Sequence, residues 1–314
     1  MKHFPNNYSR RSVLTGAASM LLTRAACARR AVPDDNLLYP VLITVGSQTG
    51  FQSFGSGFYL SKDTFIYLVT ARHVLLPPPI NGQPFIPMTL NCMSYSNNLI
   101  PEDREYLATS YENLNTQGLL KSSPNRDVAV VKLAHSPTAT PAGQPSTSPT
   151  GQAVPPPANA GATPSPAVSL QFYNGITLTS ATTTNIRLAN MDTIKRYADV
   201  LVGNDAIMYG YPRSLALDVS SGQLDPLEPL LRRGLIAGFN DQRKTIILDS
   251  PSYRGNSGGP VVELEQDNFM TKLRIIGVVS EFVPLREGSE DFFLQFNSGY
   301  SVVEPMDAIL DLAQ

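Results

Sequence analysis

The 314-residue chain has nearly balanced charge, with 24 lysine and arginine residues against 26 aspartate and glutamate residues. A nucleic-acid-binding surface is usually basic, so this balance argues against a nucleic-acid partner. Charged residues are sparse at 16%, whereas the chain has 22 glycines and 26 prolines. This composition is typical of many short strands that are joined by turns.

Residues 1–28 resemble an export signal rather than part of a fold. Ser9–Val13 contains a paired arginine of the twin-arginine type, and the apolar stretch 13–22 is too short to cross a bilayer as a helix. We expect this segment to be removed and the mature protein to be periplasmic or secreted. Lipidation at Cys27 is the less favoured alternative, because Arg24 stands where a lipobox has leucine.

Residues 38–135 predict a first set of strands, rich in Val, Ile, Phe and Tyr and separated by turn residues. His73 follows one of these apolar runs and is predicted to lie at a sheet edge. His135 precedes a proline-rich stretch and is interpreted as a solvated loop residue, while His3 lies in the signal. His73 is therefore the favoured general base. The predicted strands are Pro40–Val45, Phe54–Leu60, Phe65–Thr70, Met88–Met93 and Val128–Leu133.

A histidine base is usually oriented by a carboxylate, and Asp127 is the favoured candidate. Asp127 stands at the start of a short apolar strand, which would anchor it to a core. We interpret none of the other aspartates between His73 and residue 257 as opening such a strand. The candidates in this interval are Asp103, Asp127, Asp192, Asp199, Asp205, Asp218, Asp225, Asp241 and Asp249.

The composition changes sharply at residues 136–168, which consist mostly of Pro, Ala, Thr, Ser, Gly and Gln. Such a segment cannot bury enough apolar surface to offset its ordering entropy, so we interpret it as a disordered linker. A second set of strands is predicted over 169–303, followed by a short amphipathic helix over 304–314.

Ser257 stands in a run of glycines, Arg254-Gly255-Asn256-Ser257-Gly258-Gly259-Pro260. Glycine allows close backbone approach, and amide groups beside a serine can form an oxyanion hole. The pattern also fits the nucleophile elbow of α/β-hydrolases, but that fold needs a histidine after the serine, and none follows here. The order that remains is histidine, aspartate, serine.

Thr70-Ala71-Arg72-His73, Asp127-Val128-Ala129-Val130 and Gly255–Pro260 together resemble the three signatures of trypsin-like (chymotrypsin-fold) serine peptidases. The bacterial type is closest, similar to the protease domain of the high-temperature-requirement family but without its peptide-binding (PDZ) module. The resemblance implies an all-β fold with two antiparallel six-stranded β-barrels and a short C-terminal helix. It also implies a serine endopeptidase that acts on protein or peptide substrates by a His-Asp-Ser triad and an acyl-enzyme.

The resemblance further implies that the Gly255 and Ser257 N–H groups form the oxyanion hole. It places the primary substrate pocket at Pro251, Ser280 and Phe282, with Ser280 also supporting Asp127. Because proline carries no charge and a phenyl ring would fill the pocket, we expect cleavage after small apolar residues. A two-residue shift of the alignment would bring Asp249 to the pocket floor and supply charge there.

Cysteine and histidine are scarce, and Cys92 is the only cysteine left after signal removal. No internal disulfide, metal site or cofactor is therefore expected, and no further membrane span. A catalytically inactive chymotrypsin-like module that only binds peptides is the alternative function.

Overall fold

The computed structural model describes residues 37–80, 82–96, 98–135, 170–180, 186–213, 224–267, 270–289 and 292–314. Leu37–Gln314 form one compact unit. The predicted signal and linker lie outside the described residues.

The first sheet contains ten described strands, in the order β6-β7-β3-β2-β1-β4-β5-β9, with β8 beside β7 and β10 beside β2. All of its strand pairs are antiparallel except the parallel pair of β10 and β2. The strands are β1 Pro40–Ser47, β2 Gln52–Lys62, β3 Phe65–Thr70, β4 Pro87–Tyr95, β5 Arg104–Ser110, β6 Leu120–Ser122, β7 Ala129–His135, β8 Gln171–Phe172, β9 Thr177–Ser180 and β10 Leu188–Asn190.

The second sheet is a closed six-stranded antiparallel barrel in the order β11-β12-β13-β16-β15-β14. Closure leaves no edge strand and surrounds a core of buried aliphatic side chains, among them Ile236, Ile246, Val261 and Val303. Its strands are β11 Asp205–Gly210, β12 Leu230–Asn240, β13 Thr245–Asp249, β14 Pro260–Asp267, β15 Met270–Ser289 and β16 Phe292–Pro305.

The helices among the described residues are short: α1 Arg72–Leu75, α2 Tyr111–Thr116 and α3 Met306–Leu312. Single 3₁₀ turns occur at Pro101–Asp103, Met191–Thr193 and Tyr197–Asp199. The predicted C-terminal helix is confirmed, with Pro305 as its N-cap residue and Met306, Ile309 and Leu310 buried. Within the described part of the chain, no helix is long and apolar enough to cross a membrane.

The all-β fold with two sheets and a C-terminal helix is therefore the predicted one, and the second sheet is the predicted six-stranded antiparallel barrel. In the first sheet, ten described strands with one parallel pair take the place of the six antiparallel strands expected. The two sheets also divide the chain differently. β8, β9 and β10 follow residue 169, yet they pair with strands of the first sheet. The predicted start of the second barrel at residue 169 is thus too early, because its first described strand begins at Asp205. A change in composition shows where an insertion lies, but not which strand the next segment pairs with.

Candidate active site

His73 lies on α1, directly after β3, rather than at the strand end where it was expected. Thr70 ends β3, Ala71 is the extended residue before the helix, and one turn later a run of three prolines, residues 77–79, follows. A residue before proline disfavours the helical conformation, so the turn cannot extend. Val74 and Leu75 are buried and anchor the turn, while the His73 side chain is 41% exposed.

Asp127 holds His73 with two hydrogen bonds. Its Oδ2 atom lies 2.8 Å from the His73 Nδ1 atom, and its Oδ1 atom accepts the His73 backbone N–H at 3.0 Å. The Ser280 hydroxyl donates a third hydrogen bond to Oδ2 at 2.7 Å. Burial raises the pKa of the Asp127 carboxyl, but the hydrogen bonds and charge of His73 and the Ser280 hydrogen bond outweigh it, so this pKa lies below its ordinary value.

The loop that carries Ser257 depends on glycine at two positions. Gly255 has φ +101° and Gly258 has φ +83°, both in the left-handed region that side chains disfavour. A Cβ on Gly255 would collide with the Tyr211 carbonyl oxygen, and one on Gly258 would collide with the Thr70 hydroxyl and the Ser56 carbonyl. The loop is therefore packed directly against backbone from both sheets.

Ser56, on β2, fixes the position of this loop. Its backbone N–H donates to the Ser257 carbonyl at 2.8 Å, and its hydroxyl donates to the Gly255 carbonyl at 2.6 Å. The same hydroxyl accepts the Tyr211 N–H at 2.9 Å. Sequence reasoning missed this role, because a single serine in a strand carries no signal of a partner 199 residues away.

Two amide groups in the loop face no protein acceptor. Among the residues that the structure describes, neither the Gly255 N–H nor the Ser257 N–H donates to a protein group. The neighbouring Asn256 N–H is satisfied by the Tyr253 carbonyl at 2.9 Å, and the Asn256 side chain is buried and accepts the Tyr253 N–H at 3.1 Å. Two free N–H groups beside a serine are the arrangement that an oxyanion hole requires.

Ser280 connects the serine to the aspartate. The Ser257 hydroxyl donates to the Ser280 carbonyl at 3.3 Å, while the Ser280 hydroxyl donates to Asp127. His73 and Ser257 line the same cleft. The structure thus brings all three residues that the motifs singled out to one region, with a direct hydrogen bond between His73 and Asp127.

The cleft has a volume of about 820 Å³. Of the three predicted pocket residues, Ser280 and Phe282 line it, whereas Pro251 is not among its lining residues. Ser252 and Tyr253 line the cleft instead. Asp249 is exposed on β13 and does not line it either.

A known protein family matches part of the chain. Residues 55–193 are similar to the family described as "Trypsin-like peptidase domain". The matched range includes His73 and Asp127 and ends before Ser257. No curated protein sequence matches the chain.

Solved structures of several serine proteases match this chain at low sequence identity. The HtrA-type protease AlgW with tripeptide has 14% identity and a TM-score of 0.46, with 88% of this chain and 60% of that chain covered. The serine endoprotease from Yersinia pestis has 15% identity and a TM-score of 0.43, with 88% and 62% covered. The chain thus spans about three fifths of the length of these two.

Protease Anisep from Arthrobacter nicotinovorans is matched over nearly its whole length. It has 13% identity and a TM-score of 0.45, with 88% of this chain and 94% of that chain covered. The roles of individual residues therefore rest on the geometry described above and not on these matches.

Proposed function

We propose that the protein is a serine endopeptidase in which Ser257 is the nucleophile, His73 the general base and Asp127 the residue that orients the base. One observation carries the proposal: Asp127 holds His73 by its ring nitrogen and its backbone N–H, and His73 lines the same cleft as Ser257. This grip would hold the imidazole in the tautomer that leaves Nε2 free to accept a proton.

The proposed reaction has two halves. The Ser257 Oγ attacks a peptide carbonyl carbon while His73 Nε2 takes the hydroxyl proton, and the carbonyl oxygen becomes an oxyanion that the Gly255 and Ser257 N–H groups bind. When the C–N bond breaks, the imidazolium returns the proton to the leaving amine and an acyl-enzyme remains. A water molecule then attacks the ester, with His73 again as base, and releases the acid and the free serine.

Asn256 contributes to the shape of the Ser257 loop through a hydrogen bond within the loop. Digestive members of the family have aspartate at the position of Asn256, which pairs with a terminal ammonium. Here the Asn256 amide oxygen accepts the Tyr253 N–H within the same loop. We therefore propose that activity does not depend on zymogen cleavage of the trypsin type.

Substrate selection is assigned to the wall that Phe282 and Tyr253 contribute to the cleft. Aromatic side chains there reduce the space for the residue before the scissile bond, which supports a preference for small apolar side chains such as alanine and valine. Discrimination by apolar volume is modest, about 1–3 kcal/mol for a methylene-sized difference.

The cellular location is a separate proposal that rests on the sequence motif around Arg10 and Arg11. We propose export by the twin-arginine route to the periplasm or the medium. A mature chain with Cys92 as its only cysteine is compatible with folding in the cytoplasm before export.

A fluorophosphonate probe tests the function directly, because it labels a serine only when its hydroxyl is activated. The wild-type protein should be labelled and should hydrolyse an unfolded protein such as casein, and Ser257→Ala should abolish both while the protein stays folded. A folded wild-type protein that binds peptides but resists the probe would instead support the inactive binding module.

A further inference from the structure

An ion pair between Arg126 and Glu304 lies next to Asp127, the aspartate that is hydrogen-bonded to His73. Arg126 binds Glu304 through two nitrogens, with both Nε and Nη2 2.6 Å from Oε2. The other Glu304 oxygen, Oε1, lies 3.4 Å from the Asp127 backbone nitrogen. The Arg126–Glu304 pair therefore contacts the backbone of Asp127 through Glu304.

This pair joins the two sheets of the fold. Arg126 and Asp127 belong to the segment that leads into β7 of the first sheet, whereas Glu304 lies near the end of β16 in the barrel. Arg126 also donates from Nη2 to the carbonyl oxygen of Lys244, in the turn between β12 and β13, at 2.8 Å. One arginine thus attaches the aspartate-bearing segment to two separate places on the barrel.

Partial burial makes the loss of either partner of this pair costly. The side chains of Arg126 and Glu304 are 24% and 9% exposed. Exposed ion pairs commonly contribute little to stability, whereas removing one member of a buried, hydrogen-bonded pair leaves its partner's charge buried and unpaired. The close spacing of two nitrogens on one carboxylate oxygen adds directional preference.

The position of the pair has a functional consequence. The proposed nucleophile is carried by the barrel, while the proposed base and its aspartate are carried by the first sheet. Their relative placement must hold to a fraction of an ångström for proton transfer, and small displacements of positioning groups can cost about 10²-fold in rate. The pair crosses between the sheets one residue away from Asp127, where it limits this displacement.

We propose that Arg126 and Glu304 are positioning residues for the triad, acting through Asp127 rather than on the substrate. This inference rests on the proposed function, and it adds two residues to the active site that no motif contains. Because both residues act through His73 orientation, their loss affects the chemical step and leaves the cleft that binds the peptide intact.

The test compares Arg126→Gln and Glu304→Gln with a matched control, Glu263→Gln. Glu263 is also a buried carboxylate of the barrel, and the Lys195 ammonium lies 3.0 Å away. It does not line the cleft or the neighbouring pocket that contains His73 and Asp127. All three changes remove one charge of an ion pair that is at least partly buried. Peptide hydrolysis is measured well below the melting temperature of each variant, together with the proton NMR signal of the His73 Nδ1–H that bonds to Asp127.

We expect each of the two site variants to lower kcat by about tenfold, equivalent to about 1.4 kcal/mol, with KM changed by less than about twofold. The His73 Nδ1–H signal should shift or broaden in both. Glu263→Gln should lose stability but keep the wild-type kcat and the wild-type signal. The double variant Arg126→Gln/Glu304→Gln should fall no further than the worse single variant, because the two residues act as one unit.

Wild-type kcat and an unchanged Nδ1–H signal in both site variants would overturn the inference, and so would an equal loss of kcat in Glu263→Gln. If Glu304→Gln fails to fold, the inference is tested with Arg126→Gln and with the milder Arg126→Lys. Lysine can keep the ion pair with Glu304 but cannot reach Glu304 and the Lys244 carbonyl together. A wild-type protein that neither hydrolyses peptides nor reacts with the fluorophosphonate probe contradicts the proposed function instead, which separates the two failures.

Discussion

Replacing Asp127 by asparagine tests the proposed triad at the residue that orients the base. Both carboxylate oxygens accept hydrogen bonds: Oδ1 from the His73 N–H, and Oδ2 from the His73 ring and from Ser280. An asparagine has one oxygen and one NH₂ group in the same places. Whichever way the amide is turned, its NH₂ group faces a donor.

The two orientations have different costs. With NH₂ toward the ring, His73 must carry its proton on Nε2, so it cannot accept the Ser257 proton and kcat should fall by about 10⁴-fold. With the amide oxygen toward the ring, NH₂ opposes the His73 backbone N–H. An unsatisfied part-buried donor costs about 1–3 kcal/mol. We expect the first orientation to be the more stable one, because it leaves the backbone bond in place.

The assay is hydrolysis of a fluorogenic peptide by the folded variant, with circular dichroism as a check on folding. A kcat within about tenfold of wild type would refute the assignment of Asp127 as the residue that orients the base. Loss of activity accompanied by unfolding would be uninformative about catalysis, so Ser280→Ala serves as the control for local damage. It removes one hydrogen bond to Oδ2 and leaves the carboxylate, and we expect it to retain far more activity than Asp127→Asn.

The same carboxylate makes stability depend on pH in a definite direction. Its pKa in the folded protein lies below the ordinary value of 3.8. The ionised form therefore stabilises the folded state above about pH 4, and this contribution is lost as the pH falls through the lowered pKa. Urea unfolding between pH 6 and pH 3 should show a smaller loss of stability in Asp127→Asn than in wild type.

The remaining predictions concern the loop, the pocket and export. Gly258→Ala should lower the free energy of unfolding by well over the roughly 1–2 kcal/mol that an unfavourable φ costs, because the added Cβ collides with packed neighbours. Gly50 has the same φ of +83°, but a Cβ added there would meet no atom within 4 Å. Gly50→Ala should therefore lose only the stability that the unfavourable φ costs, as measured by thermal unfolding. Phe282→Gly should broaden a peptide-library profile toward larger residues before the cut, and an unchanged profile would remove Phe282 from the pocket wall. Replacing both Arg10 and Arg11 by lysine should leave precursor in the cytoplasm, and normal delivery of that variant, measured by fractionation, would exclude the twin-arginine route.

Local sequence determined much of the fold and the candidate site. β1, β2, β3, β7 and α3 appear where apolar runs and turn residues predicted them, because alternation and strand propensity act over a few neighbouring residues. His73, Asp127 and Ser257 could each be singled out for a similar reason. Each lies in a short motif whose glycines or apolar neighbours are contiguous in the chain.

Tertiary structure alone decided the partners of these elements. The strands β8, β9 and β10 follow the linker in sequence but join the first sheet, and the Arg126–Glu304 pair links residues 178 positions apart. The resemblance places Pro251 in the substrate pocket, yet Ser252 and Tyr253 line the cleft instead. In each case the deciding contact is a hydrogen bond, an ion pair or a packed wall between distant segments. Composition and spacing carry no record of such contacts, because many alternative pairings satisfy the same local pattern.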